Sequence, residues 1–212
     1  MEVIVAKEAG FCFGVERATK IAFETAEASD DAVHTLGDLI HNPQVVESLE
    51  AYGVHSVASP EVIKSGSNVI IRSHGLSPEV VNELKEKGLR IIDATCPIVK
   101  KVQSDAERLY KEGYTVVIIG DSEHPEVISI AGHAGDNRYI VNSMEEARKV
   151  KPTDKIGVVM QTTLILADCR EITMELLERA RELRVFNTLC GTTSKRQTGA
   201  RELADGRLLL GE

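Results

Sequence analysis

Several features that mark other classes of protein are missing from this chain of 212 residues. No stretch approaches the roughly 20 consecutive apolar residues of a membrane span. The N-terminus, Met1–Val5, lacks the basic region that opens a signal peptide. Aromatic residues make up only 4% of the chain and form no RNA-stacking motif, and a net charge of -8 would repel a polyanion. We therefore expect a cytoplasmic globular protein that binds neither nucleic acid nor a membrane.

Short β-branched runs alternate with helical patterns along the chain. The runs at 115–119 and 156–160 are continuously apolar, which is typical of strands buried on both faces of a parallel sheet. Further strands are predicted at 3–5, 68–71 and 90–92, and helices at 14–28, 78–87 and 97–112. A proline fits the first turn of a helix at Pro43, Pro78, Pro97 and Pro125. The alternation predicts an α/β fold with mostly parallel sheets.

An internal repeat gives the clearest evidence of domain organisation. His41 follows Cys12 by 29 residues and His124 follows Cys96 by 28, and each histidine precedes a proline-started helix. Cys190 opens a third segment of the same kind. We therefore predict small lobes with boundaries at 1–95, 96–188 and 189–212, which would surround a central point if they are arranged about a pseudo-threefold axis.

The third lobe is expected to be incomplete, because the counterpart of the two histidines would fall beyond Glu212. Its visible start predicts a helix over Thr193–Ala204 and a strand over Arg207–Leu210.

Three of the four cysteines lie between a predicted strand and a predicted helix. Cys12, Cys96 and Cys190 could converge on one point if the lobes surround a common axis. The paired C-x2-C spacing of structural zinc sites is absent, whereas a cubane iron–sulfur cluster with three protein thiolates leaves one iron open to substrate. Each cysteine alone is equally compatible with a place in the core. Cys169 has no counterpart in the repeat, and we predict that it packs inside a helix.

Three histidines follow strands, at the position where open α/β sheets bind their ligands. A protonated imidazole carries charge and donates two hydrogen bonds, so His41, His74 and His124 could together hold a diphosphate. The remaining histidines have no such place in the repeat.

Glu126 lies in the first turn of a helix, where an acidic residue is ordinary on dipole grounds alone. Beside a cluster and an anionic substrate, however, a carboxyl with a raised pKa would be a proton donor. Thr162 or Thr163, after the next buried strand, could relay or orient that proton.

Six motifs occur in a fixed order between Val3 and Gln197, and their joint occurrence is specific. They lie at Phe11–Ala18, Ser73–Gly75, Asp93–Pro97, His124–Val127, Gln161–Leu164 and Asn187–Cys190. Taken together they resemble the LytB family, the 4-hydroxy-3-methylbut-2-enyl diphosphate reductases.

The resemblance implies a three-lobed α/β fold around a 4Fe-4S cluster held by Cys12, Cys96 and Cys190. It implies an allylic alcohol diphosphate as substrate, reduced with two electrons from a ferredoxin or flavodoxin to isopentenyl and dimethylallyl diphosphates. The residues that it implies for substrate binding are His41, His74, His124, Thr162 and Thr163. It also implies that Glu126 and Thr162 deliver protons.

The chain departs from the family pattern in places. It lacks the Ser-x-Asn motif and a later serine of the third lobe, and Thr192 and Ser129 stand where the family has alanine and glycine. One alternative is therefore a shortened protein that binds a cluster or a diphosphate without turnover. Another is a plain α/β interaction domain in which the cysteines lie far apart.

Overall fold

The computed structural model describes residues 4–209, and the side chains of residues 4–204. Its α-helices are α1 Phe13–Glu27, α2 Pro43–Ala51, α3 Pro78–Glu86, α4 Pro97–Lys111, α5 Pro125–His133, α6 Met144–Lys149, α7 Leu166–Leu177 and α8 Gly191–Leu209. Its strands are β1 Val33–Leu36, β2 Val54–Val57, β3 Asn68–Ile71, β4 Arg90–Asp93, β5 Thr115–Ile119, β6 Arg138–Val141, β7 Thr153–Met160 and β8 Ala180–Val185. The strands alternate with the helices, so the predicted α/β class is confirmed.

Two four-stranded sheets share one topology. The first has the strand order β2-β1-β3-β4 and the second β6-β5-β7-β8, and all neighbours pair in parallel. The equal order is the structural form of the sequence repeat. Because parallel strands end at one edge of a sheet, the loops that carry the motif residues emerge together. The lobe boundaries themselves remain a prediction.

The continuously apolar strands of the second sheet are covered by helices on both faces. All five residues of β5 are buried, and its four apolar residues, 116–119, contribute alternately to two core clusters. One cluster holds α4 and α5 against the sheet, and the other holds α6 and α7. A strand between two helical layers has no solvent-facing side, so polar alternation would cost free energy.

Proline starts all four of the helices for which it was predicted to do so. Side-chain caps complete three of these ends. Asn42 Oδ1 accepts the Val45 N–H at 3.1 Å, Ser77 Oγ accepts the Val80 N–H at 3.4 Å, and His124 Nδ1 accepts the Glu126 N–H at 3.1 Å. The fourth helix, α4, has Cys96 as its N-cap and no side-chain bond there.

The predictions of strands at 3–5 and 207–210 were wrong. Ile4 and Val5 are irregular, and Val3 lies outside the described residues; residues 207–209 continue α8, and Leu210 lies outside as well. A strand needs a partner for its backbone groups, and residues 4–209 contain no third sheet that could provide one. A helix satisfies its own backbone bonds, so α8 runs on through the predicted helix at 193–204.

Among the described helices, none combines the length and the apolar character that are needed to cross a bilayer.

Candidate active site

Three histidines from separate loops meet above the carboxyl ends of the strands. The ring centroids lie 4.3 Å apart for His41 and His74, 5.4 Å for His41 and His124, and 5.6 Å for His74 and His124. His41 precedes α2, His74 follows β3, and His124 caps α5. We call these three residues the histidine cluster. The repeat therefore brings together side chains that lie far apart in sequence.

The hydrogen bonds of the cluster leave ring nitrogens available. Because His124 Nδ1 accepts the Glu126 N–H, a neutral His124 ring carries its proton on Nε2, which is then a free donor. His74 Nδ1 is buried and has no hydrogen-bond partner among the described residues. A buried polar atom without a partner is costly, so the site favours a ligand with hydrogen-bonding groups.

Burial controls the charge of these histidines. The pKa of His74 is lowered to about 3, mainly by burial and in addition by the nearby charges of His41, Arg72 and His124. The pKa of His124 is lowered as well, first by burial and then by His41. His74 is therefore neutral at pH 7, unlike the protonated form that the sequence suggested. Cationic groups that share an enclosed space repel each other until an anion compensates them.

A buried acid lies behind the histidine cluster. Glu126 is 2% exposed and Thr162 is 5% exposed. The Thr162 N–H donates to Glu126 Oε1 at 2.6 Å, and the Thr162 hydroxyl donates to Oε2 at 2.8 Å. Burial raises the pKa of Glu126, although both bonds from Thr162 act in the opposite direction. The protonated carboxyl can donate to the threonine hydroxyl in turn, so the pair can pass a proton.

Thr162 also contacts the loop of Cys190, the third cysteine predicted to bind the cluster. The backbone N–H of Cys190 donates to the Thr162 carbonyl oxygen at 2.8 Å. The neighbouring Thr163 is exposed, and its hydroxyl accepts the Gln161 side-chain N–H at 3.2 Å. Of the two threonines, therefore, Thr162 contacts the acid and Thr163 faces solvent.

Cys12 and Cys96 lie on either side of one glycine. A Cβ added at Gly14 would sit 2.7 Å from Cys96 Sγ and 3.9 Å from Cys12 Sγ. Both cysteines are half-buried N-caps without a side-chain cap bond, and both thiols are free. The methyl group of an alanine would fill this space, and glycine at position 14 leaves it open between the two sulfur atoms. This fits a metal cluster bound by thiolates.

Cys190 stands one residue before α8 and is also half-buried and free. The same helix contacts the loop of Cys12, because Arg196 donates to the Gly10 carbonyl oxygen at 2.5 Å. Across residues 4–204, no three His, Cys, Asp or Glu side chains group closely enough to hold a metal ion. A four-iron cluster is larger than one ion and holds its thiolates further apart.

Cys169 behaves as predicted for a packing residue. It is fully buried in the core cluster between the second sheet and α6 and α7, and burial raises its pKa to about 11. A thiol in that environment stays protonated and is a poor ligand.

Two arginines, one inside a motif and one directly before a motif, were assigned no role from the sequence. Arg17 donates to the backbone oxygens of Thr95 and Asp93, at 3.2 and 3.3 Å, and so fixes the loop before Cys96. Arg72 acts electrostatically on His74 and His124. Their signal was position alone, because Arg17 stands inside the first motif and Arg72 directly precedes the motif Ser73–Gly75.

Comparisons with known proteins agree with this geometry. The family model described as LytB protein matches residues 3–210. The 4-hydroxy-3-methylbut-2-enyl diphosphate reductase of Pelobacter propionicus is 48% identical over 204 residues, covering 96% of this chain and 72% of the relative. The reductase of the same name from Caldanaerobacter subterraneus is 48% identical over 207 residues, with the same coverage.

Two solved structures share the fold. The structure of (E)-4-hydroxy-3-methyl-but-2-enyl diphosphate reductase, the terminal enzyme of the non-mevalonate pathway, has a TM-score of 0.80 and 43% identity. The match covers 95% of this chain and 73% of that one. The E-1-hydroxy-2-methyl-but-2-enyl-4-diphosphate reductase from Plasmodium falciparum has a TM-score of 0.84 and 31% identity, covering 89% and 61%.

The chain thus shares its fold with a class of α/β oxidoreductases. Within that class it belongs to the LytB protein family, and it spans about 72% of the length of its curated relatives.

Proposed function

We propose that the chain reduces 4-hydroxy-3-methylbut-2-enyl diphosphate to isopentenyl and dimethylallyl diphosphates, the terminal step of the non-mevalonate pathway. The substrate takes up two electrons and two protons, its carbon–oxygen bond breaks, and its hydroxyl leaves as water. Ferredoxin or flavodoxin is the proposed electron donor, and the cytoplasm the proposed location.

The observation that carries this proposal is a series of hydrogen bonds that links successive residues of the site. It runs from His124, which caps the helix of Glu126, through Glu126 to Thr162, and from Thr162 to the backbone of Cys190. An anion site, a proton donor and a cysteine are therefore joined by adjacent contacts. Reductive loss of a hydroxyl from a diphosphate needs these three parts together.

The histidine cluster holds the diphosphate. The free Nε2–H of His124 and the unpartnered nitrogen of His74 are the groups that an anion would engage. The diphosphate does not react, so the free energy of binding it can serve to position the reacting carbon–oxygen bond.

Glu126 supplies a proton to the leaving oxygen, and Thr162 relays or orients it. Burial raises the pKa of Glu126, so its carboxyl keeps a proton at pH values above the ordinary pKa of a carboxyl and can donate it. After transfer, the two donors of Thr162 stabilise the carboxylate.

Cys12, Cys96 and Cys190 are the proposed ligands of a 4Fe-4S cluster. When bound, the cluster supplies electrons one at a time and an open iron that acts as a Lewis acid. The room left by Gly14 and the half-buried, free thiols support this assignment.

Single turnover tests the function. The chain is reconstituted with iron and sulfide under anaerobic conditions, reduced with dithionite and mixed with the substrate. Formation of isopentenyl and dimethylallyl diphosphates, separated by chromatography and detected by mass, supports the proposal. A reconstituted chain that binds iron and diphosphate but yields neither product would show that it binds without turnover.

A further inference from the structure

Arg72 occupies a defined place beside the histidine cluster. It follows β3 directly, and the next residue anchors the loop, because the Ser73 N–H and hydroxyl both donate to the Leu39 carbonyl oxygen at 3.1 Å. The guanidinium packs against Gly37, where an added Cβ would lie 2.6 Å from Arg72 Nη1 and 3.4 Å from Cζ. The backbone of Gly37 has a φ of +73°, which also favours glycine. The local structure thus makes room for this side chain.

Among the side chains of residues 4–204, the charge of Arg72 has no ion-pair partner. Its Nε is buried without a hydrogen-bond partner among the described residues. None of the ion pairs formed within residues 4–204 involves Arg72. The carboxylate that acts on it electrostatically is Asp38, whose Oδ1 already accepts the Ser56 hydroxyl at 3.0 Å. A half-buried guanidinium without a counterion is costly, and a bound anion would remove that cost.

Arg72 is also the permanent cation of this region. Its charge reaches both His74 and His124, and the other charged or titratable groups that act on those two rings are His41 and Asp121. His74 is neutral at pH 7 in the absence of an anion, whereas a guanidinium stays protonated. Hydrogen-bond donors alone do not distinguish a diphosphate from a less charged anion. A fixed charge does, because Coulomb energy scales with the charge of the ligand.

We infer that Arg72 is a positioning residue that supplies the permanent positive charge of the histidine cluster, and that it makes the cluster prefer a diphosphate over a less charged phosphate. The inference rests on the proposed function for the identity of the anion. In this role Arg72 attracts the anion electrostatically, whereas the histidines bind the anion through hydrogen bonds.

Anion binding to charge variants tests this role. Titration calorimetry on the full reconstituted chain measures the affinity for inorganic diphosphate and for inorganic phosphate, at low and at high ionic strength. We expect Arg72→Gln to weaken diphosphate binding about tenfold, to weaken phosphate binding less, and to reduce the dependence on salt. Arg72→Lys keeps the charge and should stay within about threefold of the unmodified chain.

Two further variants keep the test independent of folding defects. Arg90→Gln makes the same substitution at the exposed start of β4, away from the carboxyl edge, and should bind like the unmodified chain. Asp38→Asn removes the offsetting carboxylate while keeping an acceptor for Ser56, and should tighten diphosphate binding about twofold to threefold.

The outcomes separate this inference from the proposed function. Equal losses for both anions in Arg72→Gln, or an Arg72→Lys variant as weak as Arg72→Gln, would overturn the inference in favour of a packing role. Normal diphosphate binding in Arg72→Gln together with lost binding in His74→Ala would show that Arg72 has no role in anion binding, and would overturn the inference while leaving the proposed function intact. Failure of the unmodified chain to bind diphosphate would contradict the proposed function itself.

Discussion

The pKa values of two glutamates with the same local sequence context are shifted in opposite directions in this protein. Glu79 and Glu126 each follow the proline that starts a helix. Glu79 is exposed, and hydrogen bonds from its own backbone N–H and from Ser77 lower its pKa. Glu126 is buried beside Thr162, and this burial raises the pKa of its carboxyl. The difference arises from tertiary structure, so the sequence could propose Glu126 as an acid but could not establish its protonation.

Glu126→Gln should separate binding from chemistry. The amide fills the same space and can still accept the Thr162 N–H, but it cannot donate a proton to a leaving group. We expect single-turnover product formation to fall by about 100-fold or more, while diphosphate affinity changes little.

Glu79→Gln provides the matched control, because it alters the equivalent position of α3 without touching the site. Its rate should equal that of the unmodified chain. An equal rate in Glu126→Gln would remove Glu126 from the chemistry.

The half-buried His74 should make the free energy of unfolding depend on pH. Its pKa in the folded chain is about 3, against 6.5 for the ordinary side chain. Between these values the unfolded chain binds more protons, so the free energy of unfolding falls as pH decreases from about 6.5 towards 3. Glu126 acts with the opposite sign, since its raised pKa favours the folded state at low pH and that contribution is lost as pH rises.

A comparison with His74→Gln isolates the histidine. Urea unfolding between pH 7 and pH 4.5 should show a smaller loss of stability in the variant, by up to about 1.4 kcal/mol per pH unit. Parallel pH profiles for both chains would mean that His74 titrates normally in the folded state.

At the scale of helices and strands, local signals predicted most of the fold. Continuous apolar runs predicted β5 and β7, and proline positions predicted four helix starts, because these signals act within a few residues. The segments at 3–5 and 207–210 carry similar apolar patterns, but a strand also requires a neighbouring strand. That requirement is non-local. The same limit applies to the site, where the sequence predicted which loops converge but left open whether Thr162 or Thr163 contacts Glu126.

Helix caps connect these elements to the site. Asn42 caps α2 beside His41, whereas Ser143 caps α6, which carries no residue of the histidine cluster, through the Glu146 N–H. Replacing either residue by alanine should cost about 1 kcal/mol of stability. Only Asn42→Ala should also weaken diphosphate binding, because it loosens the loop that carries His41.

Urea unfolding and diphosphate titration of both cap variants check this expectation. Equal diphosphate affinities in Asn42→Ala and Ser143→Ala would show that the cap does not position His41.

At the scale of the whole molecule, the site depends on residues that are distant in sequence. Cys12 precedes the first sheet and Cys96 follows it, yet both sulfurs contact the space above Gly14. Gly14→Ala should therefore reduce cluster incorporation strongly without preventing helix formation, since alanine is the better helix former. Gly199→Ala, in α8 with nothing within 4 Å, is the control. Visible absorbance after reconstitution checks both, and equal absorbance would mean that the space at Gly14 is not needed.

The central claim is that three of the four cysteines share one cluster, and iron content tests it most directly. Iron and sulfide are counted after anaerobic reconstitution of the unmodified chain and of the single variants Cys12→Ser, Cys96→Ser, Cys190→Ser and Cys169→Ser. We expect about four irons per chain in the unmodified protein and in Cys169→Ser, and a marked loss in each of the other three. A colourless unmodified chain without iron, or an iron content that none of the three substitutions changes, would contradict the account.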